Sequence, residues 1–349
     1  LELLKKLVEA SGISGREERI RDIVVRELKP LVDDLRFDQM GNIIGFKTGT
    51  GKEPKGGRKK VMLAGHMDEI GFIVHHIDDN GYLRVQPLGG WDPRAMMAQR
   101  VTVLGKRDLT GLFGSKPIHI LTEEERKKPL EVKDFFIDLG LPVEKVKELV
   151  EVGTPVTMQR QMVEVGNCYT SKTMDDRVGV YCMIEGVRKA RKSPCDLYVV
   201  ATVQEEVGLR GALAASSGIV PDVGIALDVT LANDVPGSPP QDYVSKLGDG
   251  TAIAILNGSH ISNPRLFSRM VELAEKKKIK YQRDAMVKGG TDAGGIQRAP
   301  GGPAVITLSI PCRYVHTTVE MVHKDDVQAT IDLLAAYLTD PGNMDYQLM

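Results

Sequence analysis

Apolar and polar positions along the chain fall into two rhythms. In "SGREERIRDIVVREL", Ile20, Ile23, Val24 and Leu28 recur at helical spacing, and Ser14 with Glu17 has the spacing of a capping box. "GNIIGF" and "KKVMLAGHMDEIGF" read as strands on either side of a Gly/Lys-rich loop, residues 48–60. From 71 to 164 short strand-like pieces dominate ("GFIVHHI", "GYLRVQPL", "RVTVLG", "GTPVTM"), punctuated by Gly and Pro, with charged helices near 123–150. After Asn167 the texture changes again. Helices such as "DDRVGVYCMIEGVRKARK", "VGLRGALAASSG" and "KDDVQATIDLLAAYL" alternate with the strands "DLYVVATVQ", "PDVGIALDV" and "PAVITLSI". That alternation predicts an α/β fold, a mixed, largely parallel sheet covered by helices on both faces. The expected organisation is one α/β domain from residues 1–70 and 165–349, interrupted by a β-rich insertion at 71–164.

Bulk properties narrow the partners. Lys and Arg number 46 against 47 Asp and Glu, a net charge of −1, so neither nucleic acid nor an anionic membrane is expected as a partner. No apolar stretch approaches the ~18 residues of a membrane span. The opening "LELLKKLVEA" lacks the profile of a signal peptide, although Leu1 in place of Met leaves a processed leader open. Cys168, Cys182, Cys195 and Cys312 are scattered without a CxxC and read as small buried hydrophobes of a cytoplasmic protein.

The chemistry gathers where apolar runs end. In open α/β sheets ligands bind outside the carboxyl ends of the strands. "VMLAG" is followed by His66 and Asp68, "CYTSKTM" by Asp175 and Asp176, and "LYVVATVQ" by Glu205 and Glu206. "VGIAL" delivers Asp228, and "VITLSIPCRYV" delivers His316. Each residue alone has an ordinary reading: an Asp pair caps a helix, a Glu pair sits solvated in a loop. Five such strand ends supplying imidazole or carboxylate instead match a two-metal site. One carboxylate can bridge the ions, each ion keeps one His and one further acid, and one acid remains as a base. Asp68, two residues past His66, is placed to hold the other imidazole N–H.

The pieces "AGHMDEIGF", "TMDDRVGVY", "VATVQEEVGLRGA", "ALDVTLA", "KGGTDAGG" and "SIPCRYVHTTVEMV" closely resemble the M42 family of metallo-aminopeptidases, which includes the tetrahedral (TET) peptidases. They run in the family's order over essentially the whole chain. The resemblance implies a zinc-peptidase-like catalytic domain, an inserted β-rich dimerisation domain, and two divalent metal ions per subunit, Zn²⁺ or Co²⁺. It makes His66 and Asp228 ligands with Asp175 bridging, completes the pair with Glu206 and His316, and places Glu205 as general base and Asp68 behind the first His. It further implies short peptide substrates, cleavage of the N-terminal peptide bond by a metal-bridging hydroxide, and dimers assembling into a dodecamer.

The alternative on the same core is an M20-like N-acyl amino-acid deacylase or carboxypeptidase. In M20 hydrolases the lid domain follows the third metal-binding stretch, whereas here the extra module precedes Asp175. A metal-free glycoside hydrolase, acting through a carboxylate pair, is the rival that chelator sensitivity separates. The loop "VKGGTDAGG" has no GxxxxGK[ST] pattern and so is no phosphate cradle; resemblance places it beside the active site. Thr291, Asp292, His260, His323 and Trp91 receive no role, and His75 and His76 are expected to be structural.

Overall fold

Alternation within the central strands decides which layer each side chain meets. In the strand Lys60–His66, Val61 and Leu63 join one apolar cluster, and Met62 and Ala64 another on the opposite face. Val199 and Val200 of the strand Asp196–Thr202 divide in the same way. The first cluster packs against the helices Glu18–Leu28, Met174–Ala190, Pro264–Lys277 and Lys324–Thr339. The second lies under the helices Arg210–Ile219 and Asp292–Gln297. The protein, seen in a computed structural model that describes residues 1–348, is therefore a helix–sheet–helix sandwich with a second unit attached.

The sheet runs in the order Asp34–Phe37, Ile43–Lys47, Asp196–Thr202, Lys60–His66, Val223–Leu231, Ala304–Arg313, Glu320–His323, Cys168–Ser171, Val163–Val165. Thr251–Leu256 pairs with Ala304–Arg313 off this path and carries Tyr281–Ala285. The sheet is mixed, as expected. The four strands in the middle pair in parallel, the flanks of the main path are antiparallel hairpins and returns, and Thr251–Leu256 and Tyr281–Ala285 pair in parallel off it. The middle strands are buried on both faces and need helical crossovers, so their apolar runs are continuous; the flanking strands give no such signal.

Between Gly71 and Met158 six strands close into an antiparallel barrel, Gly71–Ile77, Leu83–Leu88, Phe135–Asp138, Asp108–Ser115, Arg100–Leu104 and Pro155–Met158. It has its own core, with Phe72, Phe113 and Phe135 packed edge to face. The barrel ends earlier than the expected boundary at 164, because Val163–Val165 pairs with Cys168–Ser171 in the large sheet. His75 and His76, expected to be structural, lie exposed on the first barrel strand beside a bulge. The capping box at Ser14 does not form; its hydroxyl donates to Asp68 Oδ2 at 2.6 Å instead. Among the described residues no helix is long and apolar enough to cross a membrane, and all four cysteines are free.

Candidate metal centre

Parallel register brings the chemistry level. His66 pairs with Thr202, and Ala64 with Ala226, so Asp228 stands level with His66 at the carboxyl end of the middle strands. Asp228 ends the apolar run "VGIAL" but lies inside its strand, Val223–Leu231, as the strand "PDVGIALDV" had it. Glu205 and Glu206 follow Asp196–Thr202 by way of Gln204, whose φ of 55° turns the chain out of the sheet. Asp175 and Asp176 head the helix Met174–Ala190 with non-helical dihedrals, joined by a cis peptide. Gly179, one turn on, lets that helix press against the sheet: a Cβ there would lie 2.2 Å from Asp176 Oδ1 and 2.6 Å from the Leu227 carbonyl.

The predicted ligands converge. His66 Nε2 lies 3.1 Å from Asp175 Oδ1, 3.8 Å from Glu205 Oε2 and 4.0 Å from Asp228 Oδ1. His316 Nε2 lies 3.4 Å from Asp175 Oδ2 and 3.3 Å from Glu206 Oε2. Asp175 thus presents one oxygen to each imidazole. The neighbouring Asp176 also falls within metal-binding reach of His66 and Asp228. Both its oxygens are taken by backbone donors, however, Oδ2 by His66 N–H and Oδ1 by Gly179 N–H, each at 3.1 Å. Asp175 is the freer of the two.

Asp68 reaches more of the site than the motif suggested. His66 Nδ1 makes its shorter contact with the Asp68 backbone carbonyl, 2.9 Å, against 3.5 Å to the carboxylate. A carbonyl partner at Nδ1 means that Nδ1 donates, so Nε2, turned toward Asp175, is the ring atom that a metal ion would take. The Asp68 carboxylate accepts the backbone N–H groups of Glu205 at 2.9 Å and Glu206 at 3.2 Å, fixing where those two acids leave the sheet.

Charge in this cluster is unbalanced. Burial pushes Glu205 and Asp228 well above the carboxylate range, and neighbouring acids add to the effect. Burial acts upward on Asp175 as well, but hydrogen bonds with His316 and His66 hold it below its ordinary value. On His316 burial opposes the charged ring, yet Glu206 and Asp175 outweigh it and push it up to about 12. Glu206 Oε1 is buried without a hydrogen-bond partner among the described residues. Buried acids in excess of cations, an orphaned carboxylate oxygen and two inward imidazoles are a donor set that fits divalent metal of the Zn²⁺ or Co²⁺ type.

Residues 41–333 match the family described as M42 glutamyl aminopeptidase. A lysyl aminopeptidase of Pyrococcus furiosus is 37% identical, the match covering 99% of this chain and 98% of that one. The chain belongs to the M42 family of aminopeptidases. Among solved structures, an aminopeptidase from Desulfurococcus kamchatkensis superposes with a TM-score of 0.93 at 40% identity, covering 99% of this chain and 95% of that one. The TET1 peptidase of Pyrococcus horikoshii, described as assembling into a tetrahedron or a large octahedral shell, gives 0.86 at 31% identity, covering 97% and 99%. The M42 fold brings with it a hydrolase of the aminopeptidase class, and the metallopeptidase character of the family agrees with the donor set above.

Above the cluster opens a cavity of about 550 Å³. Apolar side chains (Leu209, Val229, Leu231, Met286, Val315) and the loop Lys288–Gly290 complete its wall, so the Gly-rich loop does stand beside the site. The barrel supplies a corner that the sequence left unassigned. A Cβ at Gly89, where φ is +79°, would meet Ile70 Cγ2 at 2.4 Å and Glu206 Oε2 at 3.2 Å, and one at Gly90 would meet His316 Nδ1 at 3.1 Å. Trp91 anchors this corner by stacking on Phe72 and donating to the Gly71 carbonyl at 3.1 Å.

Under the site lies a buried network that motif reading missed. Glu69 accepts from the Gly12 N–H, the Thr173 hydroxyl and Lys172 Nζ. Arg177, fully buried, donates to the carbonyls of Met67 and Leu7, both at 2.6 Å. Removing one partner of such a group would cost about 3–5 kcal/mol by stranding the other. Asp292, also unassigned, bonds Thr202 Oγ1, and Thr291 Oγ1 lies 2.8 Å from Thr307 Oγ1.

His260 supports the Gly-rich loop from behind, its Nδ1 donating to Asn257 Oδ1 at 2.9 Å while Asn257 donates to Thr291 Oγ1. Burial pushes its pKa down from 6.5 to about 4. The unfolded chain therefore binds a proton between these values that the folded chain refuses. The stability it contributes is complete above about pH 6.5 and is lost as pH falls toward 4. Wild type should lose about 2 kcal/mol more than His260→Gln between roughly pH 7.5 and 5 in denaturant titrations; parallel curves for the two proteins would remove this role.

Proposed function

We propose that this chain hydrolyses the N-terminal peptide bond of short peptides at a centre for two divalent metal ions. His66 and Asp228 would hold one ion, His316 and Glu206 the other, with Asp175 between them. The observation that carries the reading is Asp175, whose two oxygens face the Nε2 atoms of His66 and His316 at 3.1 and 3.4 Å. When bound, Zn²⁺ or Co²⁺ supplies Lewis acidity toward the scissile carbonyl and the attacking water.

The protein does the rest. Glu205 stands at the cluster's edge, 3.8 Å from His66 Nε2, with its backbone N–H held by Asp68. Its carboxylate takes a proton from water as the new C–O bond forms, and returns it to the amine nitrogen as the C–N bond breaks. The apolar wall of Leu209, Met286 and Val315 receives the substrate's first side chain, and Gly289 and Gly290 allow its backbone to approach closely.

Residues 1–70 and 165–349 form the catalytic domain in this reading, and the insertion expected at 71–164 forms the dimerisation domain. Its exposed Leu112, Ile118, Ile120 and Leu130 suit a subunit interface. Assembly of such dimers into a dodecamer and residence in the cytoplasm complete the proposal; the P. horikoshii shell and the free cysteines support them.

The test is an aminoacyl-p-nitroanilide and tripeptide panel on chelated enzyme with Zn²⁺ or Co²⁺ added back. Turnover should return with metal and vanish when the substrate amine is acetylated. Cleavage of the acetylated peptides would instead support the M20-like deacylase or carboxypeptidase chemistry.

A further inference from the structure

The strand Glu320–His323 lies between two strands that lead into the centre. On one side Ser171 pairs with Glu320, and that chain goes on to Asp175. On the other, Cys312 and Arg313 pair with Val322 and Met321, and that chain goes on to His316. Past these pairs both neighbours leave the ladder, so their next N–H groups lose strand partners. Glu320 supplies the replacement from its side chain. Oε2 accepts the Asp175 N–H at 2.8 Å, and Oε1 accepts the His316 N–H at 2.8 Å. Glu320 itself is 1% exposed.

His316 is held in a backbone conformation that a histidine rarely adopts, with φ of +61°, and Tyr314, two residues earlier, shares that value. Such a turn persists only where surrounding contacts over-determine it. One buried carboxylate that grips the His316 N–H and the Asp175 N–H together sets the spacing of these two residues, whose side chains face each other at 3.4 Å. Asp68 does the corresponding work for Glu205 and Glu206.

We infer that Glu320 is a positioning residue: its carboxylate sets the distance and orientation of Asp175 and His316 and thereby the metal affinity of the half-site they share with Glu206. This rests on the reading of those residues as ligands. Glu320→Gln is nearly isosteric, but an amide accepts only one of the two N–H bonds and presents its own donors to the other. Glu320→Asp keeps the charge and, one methylene shorter, reaches one N–H at most.

The experiment titrates metal-free protein with Co²⁺, following the visible d–d absorption, and measures kcat and KM for Leu-p-nitroanilide on the reconstituted enzyme. Glu320→Gln should fold with an unchanged far-ultraviolet spectrum, bind Co²⁺ about 10–100-fold more weakly, and show altered d–d bands. Its kcat should fall more than its KM changes, and Glu320→Asp should lie between it and wild type. Wild-type Co²⁺ affinity and spectrum in Glu320→Gln would overturn the inference. So would failure of both variants to fold, which would make Glu320 a determinant of the fold alone. If wild type binds no Co²⁺, the metal centre itself fails, and that outcome is distinct from both.

Discussion

Glu205→Gln is expected to lower kcat by about 10²–10⁴-fold while leaving metal content at the wild-type level. The substitution keeps the side chain's size and the backbone bond from residue 205 to Asp68, 2.9 Å in the native chain. What it removes is the ability to take up a proton and release it. The other acids are placed differently: Asp175 faces both imidazoles, Glu206 faces His316, and Asp228 stands level with His66 inside its strand. Glu205 has no second histidine to face, and its nearest, His66, is already matched by Asp175 at shorter range. Elemental analysis beside steady-state kinetics checks the prediction. Loss of metal with turnover per bound ion preserved would move Glu205 into the ligand set.

Asp175→Asn should do the opposite, losing metal first and activity in consequence. The amide presents one oxygen where the carboxylate presents two, and its NH₂ group would point at one of the two Nε2 atoms. The loss in affinity should exceed the roughly 10–100-fold that mutation of an outer partner costs. Activity should recover in part as Zn²⁺ is raised, a recovery that Glu205→Gln does not show. Asp176→Asn gives the contrast, because that carboxylate already serves the backbone N–H groups of His66 and Gly179; its damage should appear as lost stability. Full metal loading in Asp175→Asn, measured after equilibrium dialysis, would exclude it as the shared ligand.

Much of the centre could be read along the chain because chemistry interrupts burial there. "VMLAGH" and "LYVVATVQEE" run apolar up to a residue that cannot be buried unpaired, and the strands end level, as parallel register requires. Helix–strand alternation after Asn167 reported the middle of the sheet for the same reason. The antiparallel flanks left a fainter mark, because a strand buried on one face carries no continuous apolar run. The short strand Val163–Val165, exposed throughout, looked like part of the insertion.

Composition and local pattern by themselves determined the α/β core, the β-rich interruption between His66 and Asp175, and the types of donor at the strand ends. Only the tertiary structure decided how those donors are aimed. Which of Asp175 and Asp176 keeps its oxygens free depends on the His66 N–H, 110 positions away from Asp176 in the chain. Glu69, Lys172 and Glu320 looked like ordinary polar residues, since their partners are backbone and side-chain groups contributed by other segments. The direction of a side chain beyond the end of a strand follows from backbone dihedrals that no periodicity constrains. In this protein those dihedrals are held by buried carboxylates, Asp68 beneath Glu205 and Glu206, and Glu320 behind Asp175 and His316.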